Sequence, residues 1–388
     1  MSKDRDRDPP SRQGRPAIAY AAAAAILLNA CAGNPPGGSD TAAARETREQ
    51  RIGADDGRDV CRPQLVQFDS AGEFFAGPII AGAALGAAAG AGTAAAFPRT
   101  GPISALIGLA VGAGVGAAAG AAVGNYLEQR RREAGEDQAA LDRLVAADLE
   151  RENAGIDQAQ RSFDALLDCR VRAAQQVREA ARSGALPAPE AQARLAEIQE
   201  RTRRDVELAK RVSTRIAERG NDLDTAIDAL APDVRPQVAS ANATVQAVVV
   251  PAVAAQPSVP VRVRPDPAAP AVAQVTPQQP VRVRPARTPG FAVVETESGQ
   301  RLGYAPVEAF STRGAGRVAT PVRLAMPPSP FALPPPDATT ANAAGAGAAV
   351  PAGRVRSLAA TNIARRDNFI ESVRHAESLA NLGFETAI

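Results

Sequence analysis

The 388-residue sequence contains no tryptophan, only three tyrosines, ten phenylalanines and two methionines. The side chains that usually dominate core energetics are therefore thin for a chain long enough to form two or three domains, which argues against one large globular core. Apolar residues make up 45% of the chain, but 88 residues are alanine, about half of that share. Histidine is nearly absent. His375 stands alone, which argues against Ser/His/Asp and Cys/His hydrolases and multi-histidine metal sites, since each needs an imidazole among other functional groups. Its setting, a C-terminal stretch of alanines and charges, places it on the solvated face of a helix. Excess charge of either sign is lacking too: 44 basic against 42 acidic residues leave +2, so no field for nucleic acid is expected. Carboxylates are plentiful, yet no segment rich in them reads as a cleft-bearing fold. No catalytic residue, metal site or cofactor is expected.

What is present is modular. Glycine and proline, 32 of each, cluster in tracts, the pattern of separate units joined by connectors. Residues 1–15 carry five basic and three acidic side chains, followed by an apolar run of 12 residues from Ala17 to Leu28. That run is too short to span a bilayer and suits the core of a cleaved signal peptide. Its end, Leu28-Asn29-Ala30-Cys31, resembles the lipobox of bacterial lipoproteins, with Leu28, Ala30 and Cys31 matching and Asn29 less usual. The resemblance implies cleavage before Cys31, lipid attachment to Cys31 and, with Ala32 next, release to the outer membrane on its periplasmic side. A plain secretory signal with an incidental cysteine is the competing reading. Cys61 and Cys169 then remain for an oxidising compartment. They are 108 residues apart, and a disulfide within the chain, two free thiols and a bridge between chains all stay open.

After a polar tether, Gly82, Gly86 and Gly90 recur at every fourth residue in an apolar stretch from Pro78 to Phe97. Beyond the turn at Pro98–Pro102, Gly108, Gly112, Gly116, Gly120 and Gly124 keep the same spacing up to Tyr126. Spacing of four aligns these positions on one helix face, and a row of glycines there lets another backbone approach closely. Each stretch is free of charge and long enough to cross a hydrocarbon core. The pattern resembles the glycine-zipper two-transmembrane domain of small outer-membrane lipoproteins, which implies envelope association. An alanine- and glycine-rich hairpin packed outside the bilayer is the alternative.

Charge density rises at Glu128 and the sequence becomes helix-forming. Leu149, Ile156 and Phe163 repeat at seven, flanked by Leu141, Val145 and Leu166. Leu195, Thr202, Ala209, Ile216, Leu223 and Leu230 do the same, with Ile198 and Val212 between, so the period is that of a coiled coil. A stop at Ser183-Gly184 and a restart after Pro187 make an antiparallel hairpin the simplest arrangement. Asp205 and Arg219, at core-type positions, are expected to weaken or locally open it. A stalk standing off the membrane and a compact bundle are equally compatible with the pattern.

The proline tract that follows contains strands, because valine alternates in Val261-Arg262-Val263-Arg264 and in Val281-Arg282-Val283-Arg284. With Pro267, Val272, Val275, Gly290-Phe291, Gly299, Gly303-Tyr304 and Pro306, the stretch from Val259 to Phe310 resembles the bacterial SH3 domain. It departs at Pro265-Asp266, at the missing glycine near Gln278-Gln279, and in carrying phenylalanine where the family has tryptophan. The resemblance implies a small barrel that recognises peptides, either cell-wall stem peptides or protein partners. Phe291 and Tyr304 would then border a groove. Arg264, with Arg262, Arg282 and Arg284, would meet ligand carboxylates through forked hydrogen bonds. The competing reading makes the valines and arginines only the dry and wet faces of a strand.

The expected organisation is therefore multi-module: signal peptide 1–30, tether 31–75, glycine-zipper helical hairpin 76–126, helical coiled-coil region 127–235, linker 236–258, SH3-like all-β barrel 259–312, disordered Pro/Ala/Gly-rich linker 313–353 and C-terminal helix 354–384. The function implied is that of a non-enzymatic envelope lipoprotein at the outer membrane, touching lipid and either peptidoglycan or a protein partner. A zipper oligomer forming a pore or part of a secretion system is the alternative.

Overall fold

A computed structural model describes residues 47–77, 79, 126–312, 320–325 and 352–382. Cys31, the signal segment, the zipper glycines from Gly82 to Gly124 and most of the second proline-rich tract lie outside these residues. Two long helices organise the chain. Helix α4 (Gln138–Arg182) starts where the Asp137 carboxylate accepts the Ala139 N–H at 2.8 Å, and it ends at Ser183. Gly184, at φ +76°, turns the chain, and Pro187 leads into α5 (Ala188–Leu230). Arg170 pairs with Asp205, and Glu152 with Arg219, so one partner moves down the chain as the other moves up: the helices are antiparallel.

The heptad faces are the contact faces. Leu149, Ile156 and Phe163 are buried on α4, as are Leu195, Thr202, Ala209, Ile216 and Leu223 on α5, while Leu230 is half-buried. The last helix, α7 (Ala352–Leu382), lies against both. It runs parallel to α4, with Arg365 on Asp157 and Asn368 on Gln160, and antiparallel to α5, with Arg366 on Asp224 and Glu377 on Lys210. Helix α2 (Arg62–Glu73) adds Phe68, whose ring sits 5.1 Å from that of Phe163 and 6.5 Å from that of Phe369. The described helices thus pack as a bundle in which the C-terminal helix is a core member. Among the described residues, no helix is long and apolar enough to cross a membrane.

Two expectations change here. Asp205 and Arg219 do not open the coil, because each closes a buried ion pair: Arg170 Nε to Asp205 Oδ2 at 2.7 Å, and Arg219 Nη2 to Glu152 Oε2 at 2.6 Å. Helix-surface residues become interior ones when a third helix covers them, and the charges are then tolerated only in pairs. The described part of the expected tether is also structured from Arg48. The short α1 (Arg48–Ile52) is held by Arg51 on Asp69, and α2 belongs to the core. Cys61, just before α2, is disulfide-bonded to Cys169 on α4.

At the N-terminal end of the pair, α3 (Tyr126–Ala134) folds back on α4, with Tyr126 Oη and Arg130 Nε both donating to Asp148 at 2.7 Å. At the other end of the chain's helical run, α6 (Val234–Ala247) and strand β1 (Val250–Ala254) occupy the stretch expected as linker. Pro236 falls in the first turn of α6, where no N–H is required, and so does not prevent the helix.

An antiparallel sheet follows: β2 (Val259–Arg262), β3 (Ala271–Val275), β4 (Val281–Pro285), β5 (Phe291–Thr296), β6 (Arg301–Pro306) and β7 (Phe310–Thr312). Together with β1 they run in the order β3-β2-β6-β5-β4-β1-β7. The alternating valines do what period two demands. Val281 and Val283 point into the sheet core, and Arg282 and Arg284 are half-buried on the other side. Gly303, at φ +149°, brings β6 against β2: a Cβ there would lie 2.4 Å from the Arg262 carbonyl oxygen. The sheet core around Val261, Val283, Val294 and Phe310 is separate from the helical core, but Val263, Ala269 and Val272 reach into the latter and join the two.

Candidate functional site

The seam between helices and sheet holds a cavity of about 440 Å³, in the range of small-ligand sites. Arg264, Phe291 and Tyr304, for which the resemblance to bacterial SH3 domains implies a peptide groove, all line it. The groove is not open, however. Gln160, Asp164 and Asp168 of α4 and Asn368, Ser372 and His375 of α7 form the facing wall. Asp164, Asp168 and Arg264 also line a second cavity, of about 580 Å³, that extends toward Cys169 and Arg172.

Arg264 does not wait for a ligand. Its Nη2 meets Asp168 Oδ2 at 2.9 Å, and its Nη1 is paired with Asp266 in the same loop. Burial works against its charge, yet these carboxylates more than compensate and raise its pKa. The other arginines of the alternating pattern are similarly engaged in part. Arg284 donates to Glu295 at 2.9 Å and to Glu371 of α7 at 3.3 Å, and Arg262 donates to the Ala269 carbonyl at 2.6 Å.

Tyr304 is buried, and desolvation lifts its phenol to about 12, so it stays protonated as a donor. Its ring meets His375 edge-on at 5.8 Å, with the Arg301 guanidinium carbon 4.5 Å from the ring centroid. His375 corrects the reading of a solvated residue: it is 2% exposed. Its helix docks across α4, α5 and the sheet, a tertiary fact that local composition does not carry. Burial first, then repulsion from Arg301, holds its pKa well below the ordinary value, so the imidazole is neutral. The Val263 backbone lies near enough to favour the charged form slightly, but neither ring nitrogen has a partner with hydrogen-bond geometry.

Asp164 is the other unusual group. It keeps some solvent exposure through the cavity but is enclosed by protein, and burial pushes its carboxyl up to about 7. Gln160 Nε2 donates to its Oδ1 at 2.8 Å. That hydrogen bond and Arg264 lower its pKa in part, and Asp168 and Asp266 raise it slightly.

Asp164 and Asp168 do not figure among the residues expected from the sequence, and His375 figures only as a solvated one. A signal existed for the first two: Gln160, Asp164 and Asp168 form a polar stripe at spacing four, beside the apolar stripe of Phe163 and Leu167. Chemically the cavity can offer carboxylate acceptors, a protonated phenol, a neutral imidazole and two aromatic faces. Among the described residues, no group of three or more His, Cys, Asp or Glu side chains is placed to hold a metal ion. No protein-family model, curated protein or solved structure matches the chain.

Proposed function

We propose that this chain is a non-enzymatic envelope lipoprotein that holds a peptide-recognition module at the periplasmic face of the outer membrane. Cys31 carries the lipid and the glycine-zipper hairpin adds a second attachment. The helical body presents an SH3-like sheet whose cavity takes a short peptide of the cell wall. The observation that carries the reading is the pairing of Cys61 with Cys169. A structural disulfide suits an oxidising compartment, and the pairing leaves Cys31, at the lipobox position, as the odd cysteine. The convergence of Arg264, Phe291 and Tyr304 on one cavity supports the recognition role. A cavity of about 440 Å³ suits a peptide end or side chain better than the broad face of a protein partner.

Two measurements test this. Mass spectrometry of the mature protein is expected to find an acylated peptide beginning at Cys31, with processing blocked in Cys31→Ser. An unmodified start beyond Cys31 overturns the anchor. The full chain in detergent is expected to bind soluble muropeptides, and a folded chain that binds none overturns the cell-wall assignment in favour of a protein partner.

A further inference from the structure

The charges of the cavity point away from the anion-binding role that its arginine first suggests. Three carboxylates line it, Asp164, Asp168 and Asp266, against one guanidinium, Arg264. That guanidinium is already shared by Asp168 and Asp266. An incoming carboxylate would have to displace both and would still face Asp164. Asp164 itself has no arginine, lysine or histidine within ion-pair distance among the described residues, and Gln160 engages its Oδ1. A largely enclosed carboxylate whose nearest guanidinium is already committed to two other carboxylates is costly in a finished interior.

A second, independent observation concerns His375. At 2% exposure, with both ring nitrogens lacking a partner, it leaves one donor and one acceptor unsatisfied on the cavity wall. Buried polar groups in native proteins are almost always paired, and a pair of orphans beside a cavity marks a place for a polar ligand. Being neutral, His375 adds no positive charge.

We infer that the cavity binds a primary ammonium group carried on a short peptide, with Asp164 as its counter-ion. An ammonium has three donors and no acceptor, which matches a free carboxylate oxygen and the acceptor nitrogen of a neutral imidazole. The remaining imidazole N–H is left for a peptide carbonyl. Phe291 offers a ring of the kind that attracts a cation, whereas the Tyr304 ring already carries the Arg301 guanidinium. This inference rests on reading the cavity as a binding site and fixes the sign of the group it takes.

The pH dependence follows from the groups facing Asp164. These are Asp168 on its own helix and Arg264, Asp266 and Tyr304 from the sheet, with Arg161 and Arg172 of α4 along the adjoining cavity and His375 of α7 on the same cavity wall. Over pH 6–8 the Asp164 carboxyl, which burial holds near 7, changes charge, while His375 stays neutral and Tyr304 protonated. Cation binding therefore expels a proton and tightens as pH rises.

The test is calorimetric titration of the full chain with three capped amino acids: Nα-acetyl-lysine methylamide, the uncharged norleucine analogue and the glutamate analogue. Only the lysine compound is expected to bind, about tenfold more tightly at pH 8 than at pH 6, the factor set by ionising one carboxyl of pKa near 7. Asp164→Asn, checked for folding by thermal melting, is expected to bind it at least tenfold more weakly and without the pH dependence. Muropeptide binding measured alongside separates the two levels of the argument. Muropeptides that bind and are displaced by the glutamate analogue, or are not displaced by the lysine compound, overturn the cation assignment and leave the binding site standing. If neither muropeptides nor any capped amino acid binds, the site and its assignment both fall.

Discussion

Buried polar groups are treated differently in two regions of the molecule. Inside the helical bundle the buried charges meet opposite charges: Arg170 with Asp59 and Asp205, Arg219 with Glu152, and Arg130 with Asp148. At the seam between helices and sheet, Asp164 has no cation and His375 has no hydrogen-bond partner. Matched charges specify how helices meet, whereas unmatched ones carry a cost that the fold alone does not repay. The contrast separates charges that hold the fold together from groups that the fold leaves without an opposite charge or hydrogen bond.

The largest expected effect lies on the matched side. Arg219→Met leaves Glu152 buried without its cation and removes the guanidinium from above the Phe74 ring, 4.9 Å away. Equilibrium unfolding in urea is expected to show a loss of about 3–5 kcal/mol. Replacing both partners, with Glu152→Leu added, is expected to recover most of that loss, since no charge is then stranded. If the double variant is as unstable as the single one, the pair does more than neutralise itself, and the comparison breaks on its matched side.

Next comes the disulfide. It closes a loop across a sequence separation of 108 between α2 and α4. Replacing both cysteines by alanine is expected to cost about 2–5 kcal/mol, chiefly by freeing the unfolded chain. The native bundle should persist by circular dichroism, because Phe68, Phe163 and Phe369 hold the same helices together without it. A variant that loses its helical signal under native conditions would show that the aromatic cluster cannot hold α2 in place.

How much of this was legible in the sequence depends on how far each signal reaches. Leu149, Ile156 and Phe163 repeat at seven, and that period alone names the buried face of α4. Val261, Val281 and Val283 alternate with arginine, and that alternation alone names the inner face of the sheet. Strand β1 escaped because Pro251 and the surrounding alanines and valines look like proline-tract linker. Its strand character comes from pairing with β4 and β7, residues 30 to 60 positions away. For the site, Arg264, Phe291 and Tyr304 were found by resemblance, whereas Asp164 and His375 were not. An aspartate on a helix reads as surface until α7, some 200 residues later in the chain, arrives to cover it.

The smallest effect is the sharpest test of the unmatched side, because its sign is opposite to the others. Asp164 has its folded pKa pushed up to about 7 from an ordinary 3.8, through burial acting against the Gln160 hydrogen bond and Arg264, with Asp168 and Asp266 adding a little. Below pH 4 the carboxyl is protonated in both folded and unfolded chains and costs nothing. Between pH 4 and 7 the unfolded chain ionises while the folded one holds its proton, so stability falls as pH rises. Above pH 7 both are ionised, and the penalty is complete, at most about 4 kcal/mol for a rise from 3.8 to about 7 and less for a side chain that keeps some solvent exposure. Asp164→Asn keeps the oxygen that accepts from Gln160 and removes the ionisation. Urea unfolding of the variant against the native sequence is therefore expected to show a gain that is near zero at pH 4, grows through pH 7 and levels off by pH 8. His375, whose folded pKa is lowered, contributes the opposite slope below pH 6.5, but it does so in both proteins and cancels from the difference. A gain that does not vary with pH, or a loss, would mean that Asp164 has a stabilising partner after all, and the distinction between bundle and seam would fail at the residue on which it turns.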